Sequence, residues 1–193
     1  MTLSRAQLRP FVDALRAGGV VACPTETQMG LLADALDARA VERVRALKGR
    51  PEGEALPVLV PSLEVALRLV RDVSAEALLL ASAHWPGPLT LVLHAQRHLP
   101  AAVVKDGKVA VRVPGPSPAY ELVVAFGGPL TGTSANKSGE APLADAAALR
   151  STFGVGLAGV VPGTPPGAPP STIIDVTGEQ PVVLRQGAVT IES

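Results

Sequence analysis

Apolar residues recur at helical spacing from the first turns of the chain. Leu8, Phe11, Val12 and Leu15 share one face, Ser4 stands where an N-cap belongs, and Gly18 and Gly19 end the run. Pro10 falls inside that helix, where it would kink it or shift its start. The period then changes. Val20, Val21, Ala22 and Cys23 form an unbroken apolar run that predicts a short buried strand, and residues 37–47 return to helical spacing with Val41, Val44 and Leu47 on one face. A polar loop over 48–55 follows. The pattern further predicts a strand over 57–60, helices over 63–70 and 75–85, and a stop at Pro86 and Gly87. Strands over 89–93 and 109–113, a helix over 119–126, a strand over 130–133 and a helix over 143–153 come next. Strands over 173–176 and 182–184 complete the series.

Helices separating most strands imply partly parallel pairing, while the turn Thr177, Gly178, Glu179 would let the final two strands pair antiparallel. The predicted class is mixed α/β, with a twisted sheet of parallel and antiparallel strands and helices packed on it. The chain has 193 residues, 47% of them apolar, enough for one ordinary domain over 1–193. Proline and glycine, 19 each, sit mostly at segment ends. Only 162–170 is dense in both, which predicts a surface loop.

Charge narrows the function classes. Lysine plus arginine and aspartate plus glutamate number 17 each, so no global field draws the protein to nucleic acid or anionic lipid. Aromatic residues at 3% argue against recognition by base stacking. The opening residues Met1, Thr2, Leu3, Ser4, Arg5 do not read as a secretory signal, and no apolar run reaches membrane-spanning length, so a cytoplasmic location without membrane contact is expected. Cys23, the single cysteine, cannot form an internal disulfide and reads as core. His84, His94 and His98 show no metal-ligand spacing, and no metal site is expected.

Neither a P-loop nor a Rossmann glycine fingerprint is present. What remains is a set of polar islands at segment ends, where α/β proteins place working residues. Pro24, Thr25, Glu26, Thr27 could bind a small polar substrate. Local chemistry alone favours a helix N-cap with Glu26 in the first turn. Lys48, Gly49, Arg50, Pro51 could converge on a polyphosphate or simply complement a helix dipole. In Trp85, Pro86, Gly87, Pro88, Leu89, Thr90 a helix stop feeds a strand, with Thr90 a polar candidate. Arg112 interrupts the apolar strand before Pro114, so it needs either a carboxylate partner or an anionic ligand. Thr131 to Gly139 holds Ser134, Asn136, Lys137 and Ser138 between glycines and reads as an anion-binding nest or a polar turn. Ser171 and Thr172 precede one strand and Arg185 ends another. Four cations (Lys48, Arg50, Arg112, Arg185) at segment ends of a neutral chain suggest a cleft for a polyanion.

The order of these islands resembles the YrdC-like threonylcarbamoyl-AMP synthases: PTET with GL two residues on, then KGRP, WPGPLTLVL, VRVP, TSANKSG, STIID and LRQG. The resemblance implies a YrdC-like twisted fold with a concave basic cleft. It implies a nucleotidyltransferase that makes threonylcarbamoyl-AMP and pyrophosphate from L-threonine, bicarbonate and ATP, with Mg²⁺ carried on the ATP. The product would serve threonylcarbamoyladenosine formation on tRNA by separate transfer proteins. By resemblance, Lys48, Arg50, Ser134, Asn136 and Arg185 are nucleotide-contacting, with Ser138 and Pro114 nearby. Thr25, Arg112 and Ser171 lie around threonine, and Lys48, Arg50 and Arg112 are the catalytic candidates. Met29 stands where the family usually has tyrosine. Two other readings share the resemblance: a paralogue with another carbamoyl- or acyl-adenylate acceptor, and a module that contacts tRNA or double-stranded RNA without synthase activity.

Overall fold

The computed structural model describes residues 2–51 and 53–191. The first helix, α1 (Arg5–Arg16), opens on a capping box: the Ser4 hydroxyl accepts from Gln7 N, and the Gln7 side chain accepts from Ser4 N. Pro10 neither shifts that start nor ends the helix. It lies on the exposed face beside exposed Ala6, so the carbonyl it leaves without a partner reaches water. Strands β1 (Val21–Pro24) and β2 (Met29–Leu32) form an antiparallel hairpin, and α2 (Ala38–Lys48) follows, capped by Asp37 and ended by Gly49 in the left-handed region at φ 61. Next come β3 (Val58–Leu59), α3 (Leu63–Leu69), β4 (Val70–Arg71), α4 (Ala75–His84), β5 (Leu89–Ala95) and β6 (Lys108–Arg112). Then α5 (Pro118–Phe126) leads to β7 (Leu130–Thr131), β8 (Thr133–Ser134), α6 (Ala146–Phe153), β9 (Gly159–Val160), β10 (Thr172–Asp175) and β11 (Val182–Arg185).

The mixed α/β class and the mixed pairing hold, but the strands divide between two sheets. One has the order β8-β2-β1-β9 and the other β11-β10-β5-β6-β3-β7, with β4 paired to β5. β10 runs parallel to β5, β3 to β6 and β9 to β1, while β10 and β11 pair antiparallel as their short turn requires. The expected strand over 130–133 is broken at Gly132, so that β7 joins β3 in one sheet and β8 joins β2 in the other. A Cβ on Gly132 would lie 2.4 Å from Leu59 Cγ, so only glycine lets the chain cross there. α6 starts three residues later than its pattern predicts because Asp145 caps it, and Leu143 N bonds back to Ala135 O.

Burial alternates with the two-residue period of a strand. On β1, Val21 and Cys23 pack with α1 and α5 through Leu8, Val12, Leu15, Leu122 and Val123, while Ala22 faces the larger core. Cys23 is therefore a core residue, and burial raises its thiol pKa well above the ordinary value. On the larger sheet, Leu89, Leu91, Leu93, Val109, Val111 and Ile174 are buried in that larger core, which also holds α3 and α4 residues Ala66, Leu69, Ala77 and Ala81. The opposite face carries Thr90, Val92 and His94 on β5, Lys108, Ala110 and Arg112 on β6, and Ile173 on β10. Most of these are only half-buried. No helix among the described residues is long and apolar enough to cross a membrane.

Candidate active site

That open face of the larger sheet forms one side of a cavity of about 200 Å³, and the edge of the smaller sheet forms the other. Thr90, Arg112, Ser171, Ile173 and Arg185 stand on the first side. Thr25, Gln28, Met29, Gly30, Thr133 and Ser134 stand on the second, with Arg50 reaching in from the loop after α2. Among the described residues the lining holds three guanidinium groups and no carboxylate. The cavity is smaller than the roughly 300–1,000 Å³ of a site that encloses a whole drug-sized ligand. It suits a small substrate group, with anything as long as a nucleotide extending over the rim.

Beside that rim, the loop after β8 is tied to the end of α2. Lys48 is 3% exposed, and its ammonium donates to Ser134 O, to Asn136 O at 2.9 Å and to Asn136 Oδ1 at 3.0 Å. The Ser134 hydroxyl donates to the same Oδ1 at 2.6 Å, leaving the Asn136 amide to donate to Lys137 O and Glu140 O. Ser138 N returns a bond to Lys48 O, and Lys137 Nζ bonds Leu47 O. All three lysine donors meet neutral oxygens, and its charge meets no carboxylate among the described residues. Burial first, and the nearby Arg50 second, lower its pKa from 10.5 to about 8. Arg50 donates from Nη2 to Ala55 O, while its Nε lies 3.2 Å from Glu54 but out of line for a hydrogen bond.

The opposite wall is built differently. Arg112 is 6% exposed. Its Nε donates to Gly87 O at 3.1 Å, and its Nη2 pairs with Glu26 Oε1, which also accepts from Gly115 N at 2.8 Å. Arg185 donates from Nε and Nη2 to Ser171 O and from Nη2 to Ser171 Oγ, and the Ser171 hydroxyl lies 2.9 Å from that of Thr90. Partial burial, and then the positive charge of Arg112, lower the Arg185 pKa. Two guanidiniums thus face one cavity whose described lining carries no anion, with Glu26 paired to Arg112 beside it.

The cap favoured at Thr25 to Thr27 is not formed. These residues make the turn between β1 and β2, where Thr25 Oγ1 accepts from Thr27 N and Gln28 N and donates to Gln28 O at 2.7 Å. Glu26 is instead the partner that Arg112 required. Of the residues singled out from the sequence, Thr25, Arg50, Arg112, Ser134, Ser171 and Arg185 line the cavity. Lys48 and Asn136 lie directly behind Ser134. Pro114 is buried and exposed Ser138 sits farther along the same loop, and neither lines the cavity. Sequence reasoning named Glu26 only as part of a possible cap and missed its pairing with Arg112, because a carboxylate after a strand is ambiguous until its partner is placed 86 residues away. It gave Thr90 little weight, and read Met29 only through the resemblance. Met29 is a fully buried strand residue that lines the second side of the cavity.

The family model for Sua5, YciO and YrdC proteins, described as "Telomere recombination", matches residues 13–187. The chain is similar to a threonylcarbamoyl-AMP synthase of Pyrococcus abyssi, with 38% identity over 96% of this chain and 55% of that protein. It is also similar to a threonylcarbamoyl-AMP synthase of Halorhodospira halophila, with 41% identity over 81% of this chain and 83% of that one. Among solved structures, P. abyssi Sua5 complexed with L-threonine matches with a TM-score of 0.91 and 35% identity, over 97% of this chain and 56% of that chain. Escherichia coli YciO, at 24% identity and a TM-score of 0.83, shares the fold. The chain thus spans about half the length of the P. abyssi protein.

Proposed function

The chain belongs to the Sua5/YciO/YrdC family, and on that premise we propose that it makes threonylcarbamoyl-AMP and pyrophosphate from L-threonine, bicarbonate and ATP. The reaction joins anions. Threonine and bicarbonate give the N-carboxy amino acid with loss of water, a carbamate oxygen then attacks the α-phosphorus, and pyrophosphate leaves. Threonine carries one carboxylate, the carbamate adds a second, and both must approach a polyphosphate. Fixed guanidiniums and small donors offset that repulsion without reorganising, and the chemistry needs no protein nucleophile.

The observation that carries the reading is the wall of Arg112, Arg185, Thr90 and Ser171 around a cavity of amino-acid size, with no carboxylate among the described residues of its lining. Arg112 takes the threonine carboxylate, and Ser171 and Thr25 frame the amino acid. Arg50, Ser134 and Arg185 meet the nucleotide over the rim, backed by Lys48 and Asn136, with Pro114 and Ser138 in its surroundings. Mg²⁺ arrives on the ATP phosphates, whose oxygens are the hard ligands it favours. Residues 1–193 act as one catalytic unit, its product serving cytoplasmic tRNA modification by separate transfer proteins. The test is labelled bicarbonate. The label must enter an AMP adduct of threonine only when threonine and ATP are both present, and an adduct that forms equally with other amino acids would point to a different acceptor.

A further inference from the structure

Arg112 sits at the meeting of the two sheets, and its guanidinium is held along one edge. Nε donates to Gly87 O, and Nη2 on the same edge pairs with Glu26, while Nη1 has no hydrogen-bond partner among the described residues. The Nη1–Nη2 end is therefore the part left to make a two-bond fork with a planar anion, and Arg112 lines the cavity. Glu26 comes from the β1–β2 turn, on the other sheet. Its own place is fixed by Gly115 N, which donates to the same Oε1, and by contact with Gly115, where a Cβ would stand 3.1 Å from Glu26 Cγ and 3.3 Å from Cδ. One carboxylate thus joins the hairpin turn, the loop after β6 and the buried guanidinium.

We infer that Glu26 is a positioning residue for substrate: with Gly87 O it clamps one edge of Arg112 so that the other end meets a carboxylate at fixed distance and angle. The inference rests on the reading that Arg112 takes the threonine carboxylate. Without the clamp, a long side chain in a cavity shared with Arg185 would be driven away by its like charge, toward solvent. Glu26 has a second effect on the balance of charge. It cancels one positive charge, so any contribution it makes to binding must come from placement and not from attraction.

That opposition of sign makes the inference testable, by calorimetric binding of L-threonine and separately of ATP to the intact chain. Glu26→Ala weakens threonine binding by roughly tenfold to a hundredfold, the scale of a misplaced binding group, with ATP affinity little changed. In an Arg112→Ala chain the same substitution has no further effect on threonine, because Glu26 acts through the arginine. Gly115→Ala keeps every charge but pushes the carboxylate by a few tenths of an ångström, and weakens threonine binding by a smaller factor. Glu26→Gln, which keeps an accepting oxygen, falls between wild type and Glu26→Ala. In steady-state turnover the loss appears in the threonine KM and not in kcat.

Tighter threonine binding in Glu26→Gln would overturn the inference, since it would mean that the carboxylate only screens the site. So would independent, multiplying losses from Glu26→Ala and Arg112→Ala. If Arg112→Ala itself leaves threonine binding unchanged, the placement of threonine at Arg112 falls together with the clamp. Loss in Arg112→Ala without loss in Glu26→Ala overturns the clamp alone. Should Glu26→Ala fail to fold, Gly115→Ala and Glu26→Gln decide the question.

Discussion

Lys48 and Arg112 are almost equally withdrawn from water, at 3% and 6% exposure, yet among the described residues only Arg112 meets a carboxylate. Lys48 spends its three donors on two carbonyls and an amide oxygen, so its hydrogen bonds are satisfied while its charge is not. Arg112 is the reverse, with its charge balanced by Glu26 and one end of its fork unused. On the proposed function, these are two anion positions prepared by different means. One is an uncompensated charge that gains from any phosphate brought near it. The other is a compensated charge held by Gly87 O and Glu26, whose free end, on the proposed reading, would take a planar carboxylate.

Removing each cation in turn should separate the two positions most strongly. Arg112→Ala strands the half-buried Glu26, and is expected to cost about 3 kcal/mol in denaturant unfolding, the low end of the range for a broken buried pair. Adding Glu26→Gln to that chain should return part of the loss. Lys48→Met strands no carboxylate, so its stability cost should stay within about 1–3 kcal/mol, the penalty for oxygens left unpaired. Its effect should fall on the nucleotide. ATP binding is expected to weaken by about tenfold to a hundredfold, or roughly 1.4–2.8 kcal/mol, with threonine binding spared. Equal losses of both ligands in both variants would show that the two positions are not separate.

A pH series sharpens the contrast at smaller amplitude. The folded chain holds Lys48 at about 8 against 10.5 in the ordinary state, so above pH 8 the folded protein releases a proton that the unfolded chain keeps. Stability therefore gains from this group as pH rises between those values, because the cost of the buried charge is relieved. ATP binding should move the other way. Phosphates favour the charged lysine, so near pH 8.5 binding draws a proton from the buffer, seen as a dependence of the calorimetric heat on buffer ionisation enthalpy, and affinity falls as pH rises further. Smallest of all, Ser134→Ala removes the hydroxyl that bonds Asn136 Oδ1 and should cost about 1 kcal/mol, with a few-fold weaker ATP binding.

How far these features could be read from the chain depended on the range of the forces involved. Locally determined features were legible. Ser4 and Asp37 cap the helices they were expected to start, or stand one residue before their first turn, and Gly18 and Gly49 follow their ends. Long-range pairing was not. Gly132 looked like an interior strand residue because its reason for being glycine is Leu59, far away in sequence. The strand Met29–Leu32 was hidden because its turn is closed by the Thr25 hydroxyl and carries no glycine signal. In the site, the need of Arg112 for a partner was legible from burial alone, while the identity of that partner required the fold. The lone cations read as a loop pair, Lys48 and Arg50, part company in three dimensions, one tied inward and the other lining the cavity.

If this cleft adenylates a carboxylated threonine, pyrophosphate release will report it. With ATP, Mg²⁺ and bicarbonate supplied, release should depend on L-threonine, fall strongly when serine or valine replaces it, and vanish in Arg112→Ala. Release at the same rate without any amino acid, or with all of them alike, would contradict the account.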